Sequence, residues 1–450
     1  MKRLKFKFII AAGMLGILSA LPLSLTGQTR VSDTLRLTLE KALEIAMSDN
    51  LNIKIDNQEL LRVDYLKKEG WYSLLPTLNT SAQYSNNIYK PIFFSDFFPG
   101  GKMEVGSTHG YSVTTNLQVP LFSMSLYKNI QISEIDMKVA LESARNTKIE
   151  LVQQVKNSFY GIVMMRESLS VLRQSYQNAR ENAANIARMY EQGMVSEYDK
   201  IRSEVAVRNI LPTLNQAENG LLLAEMQLKI LLSIDMETPM VISGNFNSVS
   251  EEIENFSNDV IYNLENNSSL KQMELQKEKL NKTYELIRTQ RLPSLAGFAS
   301  WQIQMQSNEF RFNTVWPNSL SVGISLQIPI FNKFSVSLKE KYTKIGIQKL
   351  DYQQQLLTRS LSLAATNALN EMSRARIRLV SDREAVAQAG KGYQIAKVRY
   401  ETGAGTVLEL NDSEIALTTS RLNLNQTLYD FLKAKSELEK VTGNDNIKNQ

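Results

Sequence analysis

Carboxylates, amines and hydroxyls are the reactive side chains this sequence has in quantity. Cysteine is absent and His109 is the only histidine, which removes thiol catalysis, disulfides, histidine-dependent triads and Cys/His metal cages together. An enzyme acting on carbohydrate or lipid would then need two converging acids. The acids that invite that reading are Glu409 and Asp412, three residues apart and therefore on one face of a helix. They follow the stretch Gly403-Ala404-Gly405-Thr406-Val407, and a related stretch, Gly193-Met194-Val195-Ser196, is followed by Asp199. Glycine allows a tight reversal in each, and Ser196 or Thr406 can cap the returning helix. The 16 methionines are scattered at core-like positions and mark no metal path. The expectation is a chain with no catalytic residues, metal or cofactor.

The two glycine turns belong to an internal repeat. "YEQGMVSEYDKIRSEVAV" at 190–207 returns as "YETGAGTVLELNDSEIAL" at 400–417, an offset of 210. "NLQVPLF" at 116–122 returns as "SLQIPIF" at 325–331, offset 209, and "LLPTL" at 74–78 returns as "RLPSL" at 291–295, offset 217. The chain is two copies of one plan, and the first copy carries eight extra residues between Pro76 and Pro120.

Four segments alternate with period two. At 111–119, Tyr111, Val113, Thr115, Leu117 and Val119 oppose Ser112, Thr114, Asn116 and Gln118; at 320–328, Leu320, Val322, Ile324, Leu326 and Ile328 oppose Ser321, Gly323, Ser325 and Gln327. Segments 77–85 and 295–306 alternate in the same way. Each is a two-faced strand. The polar faces are Ser, Thr, Asn and Gln with almost no charge, and strands of ~9–11 residues with one lipid-like and one watery face suit a transmembrane barrel. Four strands fall short of the roughly eight that a membrane barrel needs, so the barrel requires several chains. The alternative is a pair of soluble hairpins on a coiled-coil scaffold or adaptor.

The rest reads as long helix. From about Met124 to Gln192 there is no proline, and Val152, Val155, Phe159 and Ile162, then Leu169, Tyr176, Ala183 and Tyr190, recur at helical spacing. A helix of that length spans ~100 Å. Arg166 and Arg173 interrupt the seam, as Arg376 and Arg383 do 210 residues later, and are expected to set helix register. Pro76 and Pro293 stand where helix gives way to strand, and Pro120 and Pro329 where strand gives way to helix. Pro212 is expected to kink its helix locally.

The first 27 residues have a basic start, an apolar run from Phe8 to about Leu21 and a small-residue end, the order of a secretory signal. The apolar run is short for a span of ~20 residues. The formal charge of +5 includes Lys2, Arg3, Lys5 and Lys7 of this signal, and without them it is +1. No nucleic-acid partner is expected.

An opening helix "LTLEKALEIAMSDNLNIK" at 37–54, "GWYSLLPTLNTSAQYS" at 70–85, "LQVPLF" and "LQIPIF", and two "Y-E-x-G" turns occur in one order over about 37–443. In that order the chain resembles the TolC-like outer-membrane efflux proteins. The resemblance implies a mainly α fold with β: a long antiparallel α-helical barrel plus four transmembrane strands per subunit, completing a twelve-stranded barrel as a homotrimer. It implies a passive duct through outer membrane and periplasm, opened by a periplasmic adaptor and an inner-membrane transporter of RND or ABC type. It places the two glycine turns at the periplasmic entrance, where the adaptor docks. The family's inward acidic ring maps onto Glu409 and Asp412, with Asp199 after the first turn. Three subunits would bring six carboxylates to one constriction, with coupled ionisations. The family's basic residue near the second turn has no counterpart, because Gly405 stands there. The helix dipole alone would also favour these acids.

The division expected is a signal at 1–27, a first repeat at 28–232, a joining segment at 233–257, a second repeat at 258–443 and a polar tail at 444–450. The joining segment is expected to form, with 441–450, an irregular collar midway down the helices. The aromatic loop 88–99 belongs at the outer rim, in the membrane interface or partly covering the pore, with His109 beside it as a loop residue. Drug efflux, heavy-metal efflux and type I secretion all use such ducts.

Overall fold

In the computed structural model, which describes residues 35–257, 261–312 and 315–443, the proline-poor stretches are continuous helices. In chain order the elements are β1 (Leu35–Leu37), α1 (Leu39–Asp49), α2 (Leu51–Tyr72), β2 (Thr77–Asn86), β3 (Ile92–Phe94), β4 (Lys102–Glu104), β5 (His109–Phe122), α3 (Met124–Glu191) and α4 (Glu197–Leu232). There follow β6 (Met240–Ile242), α5 (Asn247–Glu254), α6 (Ser268–Thr289), β7 (Ser294–Ser307), β8 (Asn318–Gln327), α7 (Ser335–Glu401) and α8 (Val407–Thr442). The expected signal and the polar tail lie outside the described residues. At 68 and 67 residues, α3 and α7 are each ~100 Å long.

Two expectations about element ends need correction. The opening helix breaks at Asn50: its backbone N–H closes α1 on the Ala46 carbonyl, its side-chain oxygen caps α2 by accepting from the Asn52 N–H at 2.8 Å, and its Nδ2 donates to the Leu231 carbonyl at 2.7 Å. One buried residue thus serves three backbone groups, two through its side-chain amide and one through its own N–H. Pro120 does not end its strand. β5 runs on to Phe122, and its register against β7 shifts between Pro120 and Phe122; a bulge accommodates the residue that lacks a ladder N–H. Pro212 sits inside α4, which continues through it.

The four long strands form one antiparallel sheet in the order β2-β5-β7-β8. Its register places Leu78, Leu117, Ala299 and Val322 in one row across the sheet, and Thr80, Thr115, Trp301 and Leu320 in another. Between them runs the polar row Asn79, Asn116, Ser300 and Ser321, in which Ser300 Oγ donates to Asn116 Oδ1 at 2.6 Å. Because side chains alternate strictly, the apolar sides of all four strands fall on one face, and Leu78, Leu320, Val322 and Ile324 on it are exposed. Phe298 is the exception. It lies on the polar face over Gly323, where an added Cβ would sit 2.8 Å from Phe298 Cζ, so a side chain at position 323 would displace the ring.

The helices repeat the order of the sheet. α2 leads into β2, β5 into α3, α6 into β7 and β8 into α7, and α2 packs on α3, α3 on α6 and α6 on α7. Further along, α4 packs on α3, α3 on α8 and α8 on α7. The subunit is therefore an open row at every level. Its edges are β2 and β8 in the sheet, α2 and α7 above the middle, α4 and α7 below. Apolar residues remain exposed along those edges, on one face of each helix: Leu51, Ile55, Leu61 and Tyr65 on α2, Leu338, Tyr342, Ile345 and Tyr352 on α7.

The main core lies where the joining segment wraps the middle of the helices. β6 pairs in parallel with β1, and Leu37, Ile242, Phe246 and Ile253 pack with Phe159, Ile162, Leu228, Leu379 and Phe431. The arginines of the seam hold this collar: the Arg166 guanidinium donates to the carbonyls of Ile242 and Gly244, and Arg383 pairs with Glu254 of α5. Arg173 instead bonds Glu218 of α4 at 2.8 Å. Phe431, 1% exposed, is the largest side chain sealed in this core. Phe431→Ala should cost about 3–5 kcal/mol in denaturant unfolding of the detergent-solubilised protein; a loss within ~0.5 kcal/mol, the range of surface substitutions, would contradict this placement.

Candidate functional site

The two glycine turns close the helical hairpins by the same hydrogen-bond scheme. In the first, the Gly193 N–H donates to the Tyr190 carbonyl at 2.9 Å and the Met194 N–H to the Met189 carbonyl at 2.8 Å. In the second, the Gly403 N–H donates to Tyr400 at 3.0 Å and the Ala404 N–H to Arg399 at 2.8 Å. Both are Schellman caps, and both need a left-handed residue just past the helix. Gly193 and Gly403 supply it with φ of +71° and +77°.

The chain then re-enters a helix through a hydroxyl cap. Ser196 Oγ accepts from the Asp199 N–H at 3.2 Å, and Thr406 Oγ1 from the Glu409 N–H at 3.2 Å. Ser196 Oγ also donates to Asp199 Oδ2 at 2.7 Å. Asp199 and Glu409 thus occupy the third helical position, where a carboxylate favours the helix start. Asp412 lies beyond that first turn, so the cap and the dipole give no account of it.

The turns are side by side. Val195 of the first packs on the cluster of Ile186, Tyr393, Tyr400, Val407, Leu410 and Leu417 that carries the second. Glu409 and Asp412 stay exposed on α8, while Met194 and Leu408 present exposed apolar side chains at the tips. Tyr400 is buried and its hydroxyl has no hydrogen-bond partner. Burial, followed by the nearby charge of Asp199, raises its pKa above the ordinary phenol value.

The structure shows a basic group that inspection of position 405 missed. An added Cβ at Gly405 would lie 3.1 Å from Arg399 Cβ and 3.2 Å from the Tyr400 nitrogen, too close for a comfortable side chain. Arg399 approaches instead from the preceding turn of α7: its guanidinium donates to the Ala404 carbonyl at 3.1 Å and lies 3.6 Å from Glu409 Oε2. Only the folded reversal brings a residue ten positions before Glu409 beside it. Of the proline junctions, Pro76 and Pro293 directly precede β2 and β7, and Pro329 follows β8.

At the opposite end, the loop after β2 contains the hairpin β3–β4, and Tyr89, Phe94 and Phe97 are exposed there. His109 opens β5 rather than lying in the loop; its Nδ1 is 2.9 Å from the Tyr84 hydroxyl. Tyr111, Phe310, Phe312 and Trp316 complete an aromatic cluster at this rim.

Gly403→Ala places a Cβ in the left-handed region at a cost of about 1–2 kcal/mol. Amide hydrogen exchange should speed up in the last turn of α7 while the middle of the molecule is unchanged. Unaltered exchange at the tip would show that the reversal does not depend on glycine.

A family model described as outer membrane efflux protein matches residues 72–233 and 262–444. The outer membrane protein TolC of Vibrio cholerae serotype O1 is 18% identical over 373 residues, covering 82% of this chain and 82% of its own. Among solved structures, the outer membrane channel CmeC of Campylobacter jejuni aligns with a TM-score of 0.73 at 16% identity, over 90% of this chain and 85% of its own. The outer membrane protein VceC of Vibrio cholerae gives a TM-score of 0.71 at 12% identity, over 90% and 96%. At these identities the structural likeness speaks for the fold, and the family match covers well over half of the sequence. Two repeats of strand and long helix, matched almost end to end, make this chain a member of the outer membrane efflux protein family.

Proposed function

We propose that three copies of this chain form a passive duct through the outer membrane and periplasm. One observation carries the reading: the subunit is an open row with the same two edges in the sheet and in the helices. An unpaired strand edge in hydrocarbon costs several kcal/mol for each unsatisfied group, so β2 of one copy pairs with β8 of the next, and the apolar seams of α2 and α7 meet beneath them. Two copies would give eight strands, a barrel filled by its own side chains; three give twelve and leave a lumen. The polar rows of Ser, Thr, Asn and Gln face that lumen, and the apolar rows face lipid.

The domain plan follows. Each repeat, 28–232 and 258–443, gives one hairpin to the membrane barrel and one helical arm to the periplasmic tunnel. The segment 233–257 girdles the arms, and 1–27 serves as the export signal. The turns at 193–196 and 403–407 form the periplasmic mouth, where Met194 and the glycine reversals meet an adaptor protein and Glu409 and Asp412 line the constriction. An inner-membrane transporter supplies the energy, since the duct has no catalytic residues of its own. Arg399, 3.6 Å from Glu409 Oε2, takes the place of a basic residue at position 405 beside the mouth.

Single-channel conductance in planar bilayers tests this reading, and Asp412 is the informative acid because it takes no part in helix capping. Wild type should give discrete cation-preferring openings. In Asp412→Asn the cation preference should fall severalfold with thermal stability unchanged, and Glu409→Gln should lose both selectivity and part of the cap's stability. Recovery of the protein as a soluble, membrane-inactive monomer would favour the scaffold instead; openings of unaltered selectivity in both variants would remove the acids from the constriction.

A further inference from the structure

Glu414 is the one charged residue type buried among the described residues, at 4% exposure. It lies on α8 just beyond Asp412 but points the other way, into the packing between the two hairpins. Its own chain buries it, so no partner subunit is needed to desolvate it. Ser175 and Asn178 of α3 approach the carboxyl from one side, and Tyr393 and Lys397 of α7 from the other. Even so, Glu414 Oε1 has no hydrogen-bond partner, and neither has Nδ2 of the neighbouring buried Asn182. A carboxylate held there with incomplete pairing is costly, whereas a neutral carboxyl is tolerated. Burial raises the pKa to about 7, against the smaller opposing effects of Asn178, Ser175 and Lys397.

We propose that Glu414 is a proton-operated latch that keeps the α7–α8 hairpin packed on α3 next to the turns while its carboxyl is neutral, and releases it when the carboxylate must hydrate. The proposal rests on the duct reading, because those turns form the duct's mouth. The packed state titrates at about 7, whereas a hydrated carboxyl titrates near 4.5, so the packed state binds more protons between those values. Its advantage is complete below about pH 4.5, declines as pH rises and is exhausted above about 7. Lys397, facing the carboxyl from α7, opposes the rise; Tyr393 is held neutral by burial and by the charges of Glu414, of Glu181 on α3 and of Glu401 on α7; and Ser175, Asn178 and Asn182 do not titrate.

The test pairs two measurements on the full mature chain between pH 5.5 and 7.5: single-channel open fraction, and hydrogen exchange of the peptides spanning 172–186 and 405–420, corrected for intrinsic exchange rates. Wild type should show a rise of roughly tenfold in both opening and exchange across that range. Glu414→Gln, which keeps shape but never ionises, and Glu414→Leu should both hold the low-pH level throughout. Glu204→Gln, at an exposed acid of α4 away from the turns, should keep the pH step. A wild type without the step, or a Glu414→Gln variant that retains it, overturns the latch. A protein that conducts nothing yet shows the Glu414-dependent exchange step keeps the latch and rejects the duct.

Discussion

A sheet that lies in hydrocarbon must pair every backbone N–H and C=O with another strand, and four strands in the order β2-β5-β7-β8 leave two rows unpaired. The rest of the structure follows from that incompleteness. Each strand runs directly into or out of a helix, with proline at three of the four junctions, so the helices inherit the order of the sheet and its open edges. Completing the sheet with copies of the chain completes the helical tunnel in the same operation. In the proposed trimer, the apolar seams exposed on α2 and α7 serve as interfaces, and the polar rows become the wall of the lumen.

Such an open row is weak against bending, and the collar counters this. β1, β6 and α5 bind across the middle of α3, α4, α7 and α8 through the largest apolar core of the chain. Arg166 and Arg383 fasten it by bonding two carbonyls and one carboxylate. Below the collar, packing is thinner and more polar, with Ser175, Asn182 and Glu414 buried among small apolar clusters. A rigid middle with a looser end suits the proposed mouth, with local opening drawn from the less stable end.

Most of the architecture could be read from the sequence because its signals are periodic. Alternation at 111–119 and 320–328 fixed both the strands and the face each side chain takes, and the register then aligned those faces across the sheet. The proline-free run after Met124 gave α3 almost to the residue. What escaped was set by single contacts. Asn50 divides the opening helix through bonds made in part to a carbonyl 181 residues away, and Pro120 stays in its strand because a bulge absorbs it. The glycine turns were legible because positive φ demands particular residues there. Arg399 was not, since nothing in linear spacing signals that a helix reversal will bring it to Glu409, and Glu414 reads as one more surface acid until three helices enclose it.

The central claim is that β2 of one copy pairs with β8 of the next. The absence of cysteine allows a clean test with single cysteine pairs, one at Asn79, Ser81 or Gln83 and one at Ser319 or Ser321, oxidised in native membranes. These strands stand at opposite edges of the subunit's sheet, so a bond within one chain would not form there. The account predicts that at least one pairing yields a ladder of one, two and three chains that stops at three. Monomers alone across all pairings, or a ladder that continues beyond three, would contradict it.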